Sequence, residues 1–441
     1  MKLIYGLLIL IFFQNCSFDT KTNIWKNSNN TASKKENLFK DFKDLSTSDK
    51  LFNKNIIINE DFKFKFPQPT FNNTWQDIFY SESNNLKNFK YDGLNNVLFK
   101  SKKLSKFKIN NYILFNKDIL ILTDEKGNII IFSINKNKLL KKFNFYKKKY
   151  KKVKKLLNII SENNIIYVSD NIGYLYAYDY LEDKILWAQY YKIPFRSNLK
   201  VTKHKIITSD QNNKLIFVDK ENGNNLKEIL TEETLIKNSF INNLSLNNEA
   251  VYFLNTYGSL YSINIKNMDI NWILNLNPSL DISASSLFFA NKIVFKDNNI
   301  VISSNKSTYI IDSKTGVLNY IKNFSSSLQP IIISNYLFLI TVNDFLIAMN
   351  LTNGKIIYSY DVNKKISDFL DTKKQKVQIK NFVILNNEIY VFLENSYIVK
   401  FNTRGDIEKI YKLPVGIHSY PIFVNGIILY IDKKNKAVLI N

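Results

Sequence analysis

Cysteine, histidine and arginine are almost missing from this 441-residue chain, and each scarcity removes a class of function. Cys16 is the only cysteine, so no internal disulfide can form, whatever the redox compartment. His204 and His418 are the only histidines, far apart in sequence, and no metal site is expected from them. Arg196 and Arg404 are the only arginines. Surfaces that read bases or clamp phosphates lean on arginine forks, so the formal net charge of +23 does not point to nucleic acid. Its cations are lysines scattered among Asn and Ile, a composition of A/T-rich codons rather than of a nucleic-acid partner. No glycine-rich phosphate loop, nucleophile elbow or zinc-binding helix motif occurs. No acid and base pair stands out either. Asp170, Asp210 and Asp432 open turns, where solvated carboxylates are expected.

What is present is apolar and patterned. With 45% hydrophobic residues the chain can bury a large core. It opens with Met1 and Lys2, then an apolar run from Leu3 to Phe13, too short to span a bilayer and of the form of a secretory signal. We therefore expect a signal peptide over 1–15. From Cys16 to about residue 65 the chain is polar and aperiodic, the composition of a flexible tether reaching roughly 35 to 40 Å. The densest basic run, Lys147 to Lys155, reads as a solvated loop between two strands, with anionic lipid or an acidic partner as the functional alternative.

From residue 66 onward one frame recurs. Taking Asp179 of "NIGYLYAYDYLEDKILW" as a marker, equivalent positions are Ser133, Asp219, Asn264, Asp312, Asn350, Asn402 and Asn441, at successive spacings of 46, 40, 45, 48, 38, 52 and 39 residues. Six residues earlier stand turn formers such as Gly127, Gly173, Asn213 and Gly258; four later stand Gly223, Gly316 and Gly354, with Asn137, Asp183 and Asp406 in other copies. Eight later come Trp187, Trp272, Tyr320 and Tyr358, rings suited to packing between sheets. The short polar marker can hydrogen-bond the backbone of the turn it opens.

Each unit supplies about four antiparallel strands, and eight units predict an all-β, eight-bladed propeller of four-stranded blades over 66–441. The eighth unit stops one strand short at Asn441. The unassigned run Asn96–Lys103, "NVLFKSKK", is expected to pair with it and close the ring.

The frame of turn, "YLYAYD", turn, "ILW" resembles the repeat of the pyrroloquinoline-quinone (PQQ) propellers. Two groups share it: quinoprotein dehydrogenases and the BamB family of outer-membrane protein assembly lipoproteins. The signal-like start ending at Cys16, "FPQPTFNNTWQ" at Phe66–Gln76 and the stretch Ser326–Tyr358 resemble the second group, in particular its alphaproteobacterial type. That resemblance implies lipidation of Cys16 and a location at the periplasmic face of the outer membrane. It also implies a non-enzymatic scaffold that takes no cofactor, docks on a BamA-like barrel-inserting subunit and meets unfolded outer-membrane protein clients. In the family a connection shaped apolar, any, apolar, Arg contributes to docking; Ile193, Phe195 and Arg196 match it, as an exposed aliphatic, an aromatic and an arginine. Two alternatives stand beside this: a PQQ-dependent dehydrogenase-like quinoprotein, whose adjacent cysteine pair Cys16 alone cannot supply, and a surface lipoprotein with a ligand at the ring's centre.

Overall fold

The computed structural model describes residues 16–19, 24–27, 52–93, 95–233, 241–277, 287–304, 306–373 and 376–441. The expected signal peptide lies outside them, as does the side chain of Cys16. The chain divides into two units. In the first, Met1–Lys50, the strands Cys16–Asp19 and Ile24–Asn27 pair antiparallel.

The second unit, Leu51–Asn441, is the propeller. Blade 1 holds Leu114–Asn116, Ile119–Thr123, Asn128–Ser133 and Lys138–Asn144. Blade 2 holds Leu157–Glu162, Ile165–Asp170, Tyr174–Asp179 and Lys184–Tyr190, and six further sheets repeat the pattern to the C-terminus. The first strand of each sheet faces the ring axis and the fourth faces outward. Burial follows that radial order. The third strand of blade 1 is buried throughout, because sheets flank it on both faces; the fourth strand of blade 2, with solvent beyond it, exposes alternate residues. This is why the third strands read as near-continuous apolar runs.

The two turn columns are real backbone requirements. Gly173, at the first, has φ +102° and lies so close to the next connection that a Cβ would sit 2.8 Å from the Ile193 carbonyl. Gly223, at the second, has φ +77° and a Cβ there would meet the Trp187 ring of blade 2 at 2.5 Å. That contact is the ring packing expected between sheets: Trp187 Nε1–H also donates to the Lys220 carbonyl at 3.0 Å, and Trp272 repeats it on Ser313 at 3.2 Å. Asp179 accepts from the amides of Leu181 and Glu182, and Asp312 from those of Lys314 and Thr315, so the markers cap their own turns. In the copy marked by Asn402 the left-handed residue is Gly405, one position before Asp406.

Every blade carries a one-residue bulge where its third and fourth strands pair, at Ala177/Tyr178 in blade 2 for instance. In blade 8 the bulge falls at Leu439/Ile440, against Val97–Lys100. The N-terminal strand thus takes the fourth-strand position with the same irregularity as the other seven, as expected from the missing strand. Backbone bonds extend the seam: Asn96 and Asn441 exchange N–H···O bonds at 3.1 Å, and Ser101 N–H donates to Ala437 O at 2.9 Å. The longest repeat spacing, between Asn350 and Asn402, accommodates the helix Val362–Phe369, capped by Asp361.

Residues 52–65, read from composition as the end of the tether, lie on the propeller. Ile56 and Ser359 exchange backbone bonds at 3.0 Å, Phe62 and Phe64 pack edge-on to Tyr336, and the Arg404 guanidinium donates to the carbonyls of Asn59, Glu60 and Phe62. Phenylalanines among the polar residues carry this docking; composition alone hides it.

Candidate functional site

The ring has two ends. Connections between blades and the turns joining second to third strands lie at one, here the connection end; the remaining hairpin turns lie at the other. The centre is filled by the chain itself. Residues 72–89 enter the axis and bond the inner strand, or its turn, of all eight blades. Thr74–Trp75 pairs with Phe115 and Asn116 of blade 1. Gln76 O accepts from Ser161 in blade 2, Glu82 O from Leu246 in blade 4 and Ser83 O from Phe295 in blade 5. Asn85 makes a two-way bond with the backbone of Ile332 in blade 6 at 2.9 Å. Phe89 bridges to Ile384 and Asn386 of blade 7, and Asn72 O accepts from Asn425 of blade 8. In blade 3 the side chain of Lys200 turns inward, its ammonium 2.6 Å from Asp77 Oδ2, 2.6 Å from Asn84 Oδ1 and 2.8 Å from the Ser81 carbonyl. Burial pulls the Lys200 pKa down and Asp77 pulls it back up.

This hub was not legible as such; its traces are the asparagines Asn84, Asn85 and Asn88 and one lysine placed in an inner strand. At the far end from the connections it leaves a cavity of about 670 Å³ lined by residues including Ser81, Glu82, Lys87, Asn247 and Asp297. At the connection end the axis is capped by Phe79, Tyr112 and Tyr420 around Lys292, whose ammonium lies 4.6, 5.6 and 5.5 Å from their ring centres. Burial pushes the Lys292 pKa down to about 8. Between pH 8 and the unfolded value of about 10.4 the unfolded chain therefore holds more protons, and stability rises with pH across that window. Above about pH 10 buried tyrosines such as Tyr80, pushed up to about 12, reverse the trend. We expect melting between pH 7 and 9.5 to show the rise in the wild type, and Lys292→Met to be more stable at pH 7 and flat in that range. A variant with the same pH slope as the wild type would place the titrating group elsewhere.

The residues singled out for docking fall on the connection from blade 2 to blade 3. Phe195 does not point outward as expected: it is 2% exposed, packed with Leu199, Trp187 and Val218 between the two blades, and its amide donates to Asp170 O at 2.9 Å. An aromatic next to Pro194 at a blade junction gains more from the inter-sheet core than from solvent. Ile193 and Arg196 remain partly exposed at the connection end. Arg196 donates through Nη2 to Gln211 Oε1 at 3.3 Å, while its Nε is buried without a hydrogen-bond partner. Among the described residues it forms no ion pair.

The remaining candidates resolve as structure. Asp170, Asp210 and Asp432 are not solvated; all are at most 1% exposed. Asp170 Oδ1 accepts from the amides of Ile172, Gly173 and Tyr174, and Asp210 and Asp432 accept likewise from the turns they open. Desolvation raises the pKa of Asp170 and of Asp210, against the lowering effect of those amides. His204 is exposed in a turn of blade 3, and His418 bonds the Ile109 carbonyl at 2.9 Å; the structure does not bring them together. The middle of the ring axis is occupied by residues 76–89, so open space on the axis is confined to the cavity at the far end from the connections.

Residues 144–360 match the family model PQQ_2, "Outer membrane protein assembly factor BamB". Among solved structures, BamB from Moraxella catarrhalis aligns at TM-score 0.61 and 11% identity, covering 78% of this chain and 99% of that one. The quinohemoprotein alcohol dehydrogenase from Comamonas testosteroni aligns at TM-score 0.58 and 10% identity over 83% and 80%. A europium-containing methanol dehydrogenase aligns at 0.60 and 10% over 83% and 89%. At these identities the structural likenesses speak to fold alone. No curated protein sequence matches significantly. Its central blades match the family model over just under half of the chain and its eight sheets close one ring, so the chain is similar to the BamB/PQQ-like family of propellers.

Proposed function

We propose that this protein is a non-catalytic scaffold lipoprotein of the outer-membrane β-barrel assembly machinery, anchored through Cys16 at the periplasmic face and docked on the periplasmic domains of a BamA-like subunit. The observation that carries the reading is Arg196: a guanidinium at the connection end with one long hydrogen bond, an unsatisfied buried Nε and no counter-ion among the described residues. A buried donor without an acceptor is costly, and a partner's carboxylate at that point would satisfy it bidentately. Ile193 supplies the adjoining apolar contact; Phe195 supports the connection from beneath. The filled axis favours a surface role over the dehydrogenase and central-ligand alternatives. Among the described residues no helix is long and apolar enough to cross a membrane, which leaves anchoring to the N-terminal segment in this reading. Client strands would add to the outer fourth strands, where Leu186, Ile273 and Ile321 are exposed.

The test is a pull-down of the tagged full chain in mild detergent, with partners identified by mass spectrometry. The wild type should recover a barrel-inserting subunit, Arg196→Glu should lose it by at least about tenfold, and Arg196→Lys should fall between, lacking the fork. Recovery of no such subunit by the wild type would sink the assignment.

A further inference from the structure

Seven of the nine residues from Lys147 to Lys155 are lysine. The loop they form, between blades 1 and 2 at the connection end, is built rather than loose. Tyr150 N–H donates to Lys147 O at 3.0 Å and Val153 N–H to Tyr150 O at 3.1 Å. Lys155 folds inward: its amide donates to Glu125 O at 2.9 Å, its ammonium to the Tyr150 carbonyl, and it lies 5.2 Å from the Tyr146 ring centre. Asn171, from the next blade's turn, accepts from Leu156 N–H at 2.8 Å and donates to Lys154 O at 3.0 Å. The fold thereby holds the other six lysines outward.

Elsewhere on the propeller some lysines are neutralised. Lys141, Lys214, Lys227 and Lys365 sit 2.9, 2.8, 2.7 and 2.8 Å from Asp183, Glu228, Asp269 and Asp406. In this loop only Lys154 approaches a carboxylate, Glu125 at 4.0 Å, and Lys149 lies over the Tyr150 ring. Among the described residues the ammonium groups of Lys147, Lys148, Lys151 and Lys152 have no counter-charge. Beside them Val153 and Leu156 are 42% and 51% exposed.

We infer that this loop is a contact site for the anionic headgroup layer of a phospholipid bilayer, the lysines lying among phosphates and Val153 and Leu156 entering the interface. Compact ammonium charges on long stems suit a diffuse layer of phosphates, where the stems can lie along apolar surface. The exposed Val153 and Leu156 beside the lysines favour a bilayer interface, which takes up apolar side chains and cations together, over an acidic protein epitope. The inference does not depend on the docking reading of Arg196.

The test uses residues 51–441, a compact unit with its own closed ring, and vesicles of phosphatidylcholine with or without about 30% phosphatidylglycerol. Co-sedimentation should require the anionic lipid and weaken with salt. Alanine at Lys147, Lys148, Lys151 and Lys152 should reduce partitioning by roughly six-hundredfold, about a factor of five per cation. Alanine at Lys141, Lys214, Lys227 and Lys365 removes the same charge from paired sites and should largely preserve binding. Val153→Asp with Leu156→Asp should weaken binding, with thermal melts confirming that each variant is folded. Absence of binding to anionic vesicles overturns the proposal, as do equal losses in the two lysine variants. So does a loop variant that loses an acidic protein partner in pull-downs while still binding vesicles.

Discussion

Ending the chain at Lys434, which removes the strand Ala437–Ile440, is expected to abolish cooperative folding of the whole ring. That strand is the third of blade 8, with Val438 and Ile440 fully buried and Leu439 nearly so. Three such side chains contribute roughly 1.5–3 kcal/mol each. Their loss also strands Val97–Lys100, which then has no partner, and it exposes the edge of Ile427–Ile431. The total approaches the entire net stability of a domain, about 5–15 kcal/mol. The truncated chain should be insoluble, or soluble without a sharp thermal transition and rapidly cleaved by protease. A sharp transition within a few degrees of the wild type would show that the seam does not hold the ring.

The second large effect is expected at the hub. Asp77→Ala leaves the Lys200 ammonium at the ring axis, where its side chain has no exposure and Asp77 has been its counter-ion at 2.6 Å. Removing one partner of a buried pair costs roughly 3–5 kcal/mol, because the remaining charge is uncompensated. Asn84 Oδ1 and the Ser81 carbonyl soften that cost without replacing a charge. Combining Asp77→Ala with Lys200→Met should recover most of the loss, since two apolar residues leave no orphaned charge. Denaturant unfolding of the four proteins gives the coupling energy. Additive losses in the double variant would mean that hub and blade 3 are held by packing and backbone bonds rather than by this pair.

The repeat frame was open to reading because each blade is a local object. Its turns need left-handed residues and its markers cap the turns they open; where a glycine follows the marker it makes room for a ring from the blade before, as Gly223 does for Trp187. These constraints act within about ten residues or at a fixed spacing, so they leave periodic columns. The connection over 193–196 was legible as a pattern, but its inside and outside were not. Ile193, Phe195 and Arg196 differ in exposure because the connection crosses between two sheets, and only the packed sheets decide which of its side chains enters the gap. The same holds for Asp170, Asp210 and Asp432: the sequence shows an acid opening a turn, while their burial depends on neighbouring blades covering that turn.

By itself, then, the sequence determined the strands, the period, the number of blades and the strand that closes the ring, since these follow from local turn chemistry and from a missing piece of the last repeat. Only the tertiary structure decided what occupies the axis. The hub joins residues far apart in sequence, Asp77 and Lys200 being 123 positions apart. No periodicity records such a pairing; it exists because eight inner strands converge on one line and leave polar groups that a single extended segment can satisfy.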